Sequence, residues 1–150
     1  PTIIPTQYGF EISQSIDGIS GGSIIFDTTY VNNEADTVTF NFDLKFLPNS
    51  FMGVKEIRII PNFDSIFVKF YPSMLFNKPA FLDLSYKGID LTKLGFDSNT
   101  KVDFAFLDEN GLVEYILNQE CKIKWSTKQV YVKSAKLPHF SRYSFIRKNL

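Results

Sequence analysis

The chain has 150 residues, enough for one domain with a sizeable core. Apolar residues make up 44% and aromatic ones 16%, among them 16 phenylalanines, a composition that favours strands. Sixteen basic residues balance sixteen acidic ones with no run of either sign, so no field draws nucleic acid, and no apolar stretch approaches the roughly 20 residues of a membrane-crossing helix.

Residues 1–19 begin with "PTIIPTQYGF", which holds two prolines and no period. This predicts an extended, poorly tied lead-in. The segment starts at proline rather than methionine, as expected after a removed leader or at an upstream boundary. From residue 20 to 150 the chain reads as one β domain. "GISGGSIIF" is a glycine turn entering a strand. The clearest pattern follows over 36–46, "DTVTFNFDLKF". Val38, Phe40, Phe42, Leu44 and Phe46 alternate with Thr39, Asn41, Asp43 and Lys45. A period of two puts successive side chains on opposite faces, so this is a half-buried strand. A helix would scatter the same phenylalanines around its circumference.

Short strands are also predicted over 54–60, 65–71, 80–86, 101–107, 112–117, 121–125 and 129–133. "DLTKLG", 90–95, predicts one helical turn ending at Gly95. Asn110-Gly111 lies between two apolar runs and predicts a hairpin, because both residues tolerate positive φ. At the end, Leu137, His139, Ser141 and Tyr143 alternate with Phe140, Arg142 and Ser144. The alternation predicts one closing strand with Phe140 inward and His139, Ser141 and Tyr143 on the other face. Together these elements predict an all-β fold, a single-domain antiparallel β-sandwich of about eight to nine strands.

The chain is sparing with reactive groups. Cys121 is the single cysteine, so no internal disulfide forms. It shares a face with Ile123 and Trp125, away from Lys122 and Lys124, which predicts a buried, inert thiol. One histidine and one cysteine leave no basis for a His- or Cys-based metal site. There is no glycine-rich phosphate loop, and the carboxylates are scattered. No cofactor is expected. Tyr86, Tyr115, Tyr131 and Trp125 are the aromatic residues predicted at the surface, where they could stack on sugars.

Three stretches, in order, carry a resemblance: "GISGGSIIF" ahead of the alternating strand and "LPNSF"; "FYPSMLFNKPAFLDLSY"; and "LPHFSRY". Together they resemble the bacterial members of the ZU-five family, a β-sandwich domain named for zonula-occludens proteins and uncoordinated-five netrin receptors. The resemblance spans roughly Ser20 to Phe145. Its most specific parts are Lys78-Pro79-Ala80 with Ser85-Tyr86, and His139 to Tyr143. The chain departs from the bacterial pattern at Met74, where glycine is expected.

The resemblance implies a non-catalytic structural or protein-interaction module of a bacterial secreted or surface-anchored protein, not an enzyme. Its localisation would be extracellular or cell-surface, with a lipid anchor in a removed upstream segment as one form of this. The partner would be another protein or a neighbouring domain. Some animal relatives cut themselves at a Phe-Ser bond within a His-Phe-Ser triplet. The matching residues are His139, Phe140 and Ser141, which gives an autoproteolytic alternative. There, Ser141 Oγ would attack the Phe140 carbonyl, His139 would take the proton, and water would open the ester. The peptide would have to be distorted, because a relaxed amide is a poor electrophile. A carbohydrate-binding module is the other alternative. The strand reading of the triplet, with His139 held by hydrogen bonds to Ser141 or Tyr143, is preferred.

Overall fold

The computed structural model describes residues 1–7 and 9–148. Twelve strands form two antiparallel sheets. One has seven strands in the order β1 (Thr2–Thr6), β2 (Gly9–Asp17), β5 (Val54–Pro61), β6 (Phe67–Tyr71), β12 (Arg142–Arg147), β8 (Val102–Leu107), β9 (Val113–Tyr115). The other has five, in the order β10 (Glu120–Lys124), β11 (Gln129–His139), β7 (Leu75–Lys87), β4 (Thr37–Phe46), β3 (Gly22–Val31). The fold is an all-β sandwich with one continuous core.

The alternation of β4 is realised as expected. Val38, Phe40, Phe42, Leu44 and Phe46 are all buried. The rings then meet residues of the opposite sheet and of the segment that crosses between the sheets. Phe42 lies 6.0 Å from Phe70 of β6, and Phe46 lies 5.7 Å from Phe140. Such ring pairs contribute beyond their buried area.

The count of eight to nine strands is too low, and the first nineteen residues account for part of it. They are not a loose lead-in. β1 and β2 pair over Thr2–Thr6 and Gly9–Ser13, and β2 pairs onward with β5. Ile12 and Ile16 are buried, and Phe10 packs against Phe26, Tyr30 and Phe40. The period of two is interrupted by Gln14, whose amide donates to the Ser23 carbonyl at 2.9 Å. A polar residue on the inward phase hid the strand.

The second correction concerns the C-terminal segment. The stretch 137–145 is two strands in different sheets. Leu137 to His139 ends β11 in the five-stranded sheet, and β12 begins at Arg142 in the seven-stranded sheet. Phe140 and Tyr143 are therefore both buried, which a single flat strand forbids. β12 lies between β6 and β8, near the middle of its sheet rather than at an edge.

The turns follow local chemistry. β8 and β9 pair as the hairpin predicted, and Gly111 has φ +81°. The loop is pinned by Asp108, whose Oδ1 accepts from the Asn110 and Leu112 amides. Residues 91–95 form turns, with Asp90 Oδ1 accepting from the Thr92 and Lys93 amides and Gly95 at φ +94°. A short 3-10 turn at Trp125–Thr127 replaces the end of one predicted strand.

Candidate functional site

The His139-Phe140-Ser141 triplet is the crossing between the sheets. His139 is the last residue of β11, opposite Leu75 of β7. Phe140 N–H donates to the Met74 carbonyl at 2.9 Å, so this residue is still tied to the five-stranded side. Its ring is 1% exposed, stacked 5.1 Å from Phe70 and edge-on to Phe76 at 4.8 Å. One residue later the chain is tied to the other sheet, where the Ser141 carbonyl accepts from Phe70 N–H at 2.8 Å. A buried aromatic side chain and two backbone hydrogen bonds thus fix the crossing.

The imidazole is held by neighbours other than the serine. Tyr143 O–H donates to the His139 carbonyl at 2.5 Å and lies 3.4 Å from His139 Nδ1. The ring packs edge-on against Phe106, with centroids 4.5 Å apart. Burial pushes the Tyr143 phenol above its ordinary pKa, outweighing the opposite pull of the His139 backbone. No hydrogen bond joins Ser141 Oγ to His139 among the described residues. The sequence grouped His139, Ser141 and Tyr143 on one face, and only His139 and Tyr143 meet. The Phe140–Ser141 peptide is trans, and neither residue has positive φ.

Ser141 instead lines an open cleft of about 420 Å³ together with Lys69, Tyr71, Ser73, Asp108, Glu109 and Arg142. Sequence reasoning missed this group. Lys69 and Arg142 become partners only through the β6–β12 register, and single-strand alternation carries no trace of that register.

The four aromatic residues predicted at the surface do not form a common platform. Tyr86 is fully buried, with its hydroxyl donating to the Phe67 carbonyl at 3.2 Å. Tyr131 faces outward but is covered. The Lys124 and Lys133 ammoniums lie 5.4 and 5.7 Å from its ring centroid, and its hydroxyl donates to Glu120. Trp125 packs partly against the core, and Tyr115 is exposed on β9, in the other sheet. Cys121 is half-buried beside Ile123 and Trp125. Burial first, and Asp103 second, push its thiol up to about 12.

On the outer face of the five-stranded sheet, Asp43 and Asp83 stand opposite each other, with Asp27 nearby. Burial, then Asp83 and Asp27, hold the Asp43 carboxyl above its usual range. Among the described residues, no cluster of three or more His, Cys, Asp or Glu has a metal-holding arrangement. No helix among the described residues is long and apolar enough to cross a membrane. In comparison with known proteins, no family model, no curated protein and no solved structure matches the chain.

Proposed function

We propose that the protein is a non-catalytic interaction module, a ZU-five-like β-sandwich from a bacterial secreted or surface-anchored protein. The observation that carries the non-catalytic part is the engagement of His139. Its carbonyl and Nδ1 both face the Tyr143 hydroxyl, and its ring is packed on Phe106. A general base must reach the proton it removes, at about 2.6–3.2 Å. The polar neighbour of His139 Nδ1 is the Tyr143 hydroxyl, at 3.4 Å, and no hydrogen bond joins the ring to Ser141 Oγ among the described residues. The resemblance in "KPAFLDLSY" and "HFSRY" supports the family. The interaction part rests on β9. It is an edge strand, and Leu112, Val113, Tyr115 and Leu117 on or beside it are exposed. Open edges and apolar patches are what pairing with another chain uses.

A second reading has one observation in its favour. The Phe140–Ser141 peptide is flanked by a tie to Met74, just before β7 of the five-stranded sheet, and by one to Phe70 in the seven-stranded sheet. Relative movement of the sheets would load this one bond. Intact-mass spectrometry of fresh and aged protein separates the two readings. The full mass at all times is expected. A fragment that begins at Ser141, absent from Ser141→Ala, would replace the non-catalytic reading with self-cleavage.

A further inference from the structure

The cleft beside the crossing has charge of both signs. Its floor is the outward face of β6 and β12, where Lys69 and Arg142 stand directly opposite each other. Like charges so placed repel across a strand pair. The ion pairs among the described residues are Arg58–Glu11, Lys93–Glu34, Lys122–Glu120 and Lys133–Glu120, so neither cation has a carboxylate partner. Arg142 lies against the Phe67 ring, its guanidinium carbon 5.7 Å from the centroid, which holds the planar group along the strand face. Ser73 and Ser141 line the same cleft. The opposite lip, on the loop after β8, carries Asp108 and Glu109. Asp108 commits Oδ1 to two loop amides, and Glu109 joins no ion pair among the described residues.

We infer that this cleft binds a small zwitterion of the amino-acid or short-peptide class. Its carboxylate would sit on Arg142 and Lys69, with the serine hydroxyls as further donors, and its ammonium would face Glu109 and Asp108. Guanidinium matches a carboxylate with two parallel N–H donors. A simple anion would meet two carboxylates on the far lip, and a simple cation would meet Lys69 and Arg142 on the floor. A molecule with both groups satisfies both walls. A volume of about 420 Å³ suits a small ligand. This inference is independent of the interaction reading above.

The test is an NMR titration of the intact ¹⁵N-labelled chain with the dipeptide Ala-Ala, with acetate, ethylammonium and inorganic phosphate as partial probes. Saturable shifts are expected in the amides of Lys69, Tyr71, Glu109, Ser141 and Arg142, with binding about tenfold tighter than acetate or ethylammonium. Arg142→Gln should weaken dipeptide binding about tenfold and Glu109→Gln about threefold, both with dispersed native spectra. If Arg142→Gln does not fold, Lys69→Gln takes its place with the same expected loss. No saturation by about 50 mM dipeptide overturns the inference. So do acetate or phosphate binding as tightly as the dipeptide, shifts centred elsewhere, or unchanged affinity in the folded variants.

Discussion

Phe42 lies mid-strand on β4 with 1% of its surface exposed, stacked on Phe40 and tilted against Phe70 of the opposite sheet. Its truncation leaves a cavity between two sheets that cannot collapse freely. Phe42→Ala should lower stability by about 3–5 kcal/mol in chemical denaturation. Its neighbours on the other face have lighter duties. Asn41 Nδ2 donates to Asp27 at 2.7 Å, and the Thr39 and Thr29 hydroxyls lie 3.3 Å apart, both pairs at the surface. Thr39→Ala and Asn41→Ala should each cost about 1 kcal/mol or less. Equal losses on the two faces would contradict the one-sided strand. This two-faced division was legible in the residues themselves. Tyr86, expected at the surface, is instead buried on the same phase as Ala80, Leu82 and Leu84. A single backbone carbonyl, that of Phe67, satisfies its hydroxyl inside. The facing of Lys69 and Arg142 was not legible, because it arises from contacts across strands, whereas the tie between Tyr143 and His139 was one of the two bonds expected from their shared phase.

Elements are set by their turns as much as by their strands. Gly111 and Gly88 both have positive φ, at +81° and +97°. A Cβ on Gly111 would meet nothing within 4 Å, whereas one on Gly88 would press into the carbonyl oxygen of Thr37. Backbone strain alone costs about 1–3 kcal/mol. Gly111→Ala should stay within that range, and Gly88→Ala should exceed it, as read from urea midpoints. Equal midpoints would contradict the close approach. Ser134 is the other device of this kind. With φ +52° and its amide donating to Asp83 at 2.8 Å, it inserts one residue into β11. Val130 and Val132 face the core before it, and Ala135 and Leu137 after it. The bulge shifts the phase, so simple alternation could not have carried the strand from 129 to 139. The same loss of phase at the crossing made two strands look like one. β12 carries buried Tyr143 and Phe145 and is hydrogen-bonded to both β6 and β8. Removing residues 139–150 should therefore abolish cooperative unfolding altogether, measured by circular dichroism against temperature. A truncated chain that still melts sharply would place β12 outside the essential core.

At the scale of the whole molecule, burial of acidic side chains predicts alkaline sensitivity. Burial is the main cause that raises the phenols of Tyr30, Tyr86 and Tyr143 and the thiol of Cys121. Each folded value lies above the unfolded one, so the unfolded chain gives up protons first as pH rises. Their contribution is whole below the unfolded pKa values, about 8.5 for cysteine and 10 for tyrosine. It is lost progressively above them as pH climbs toward the folded values. The melting temperature should be steady between about pH 7 and 8 and fall steeply beyond about pH 10. Calorimetry that shows a flat melting temperature up to about pH 11 would contradict this burial of phenols.

The place of β12 also governs the order of manufacture. In the seven-stranded sheet, β1, β2, β5 and β6 form one group and β8 and β9 another, and only β12 joins them. During synthesis every other strand is complete while this sheet is still in two pieces, with the facing edges of β6 and β8 bare. The domain cannot close as it emerges. It waits for Arg147, and until then it offers two unpaired edges to anything nearby.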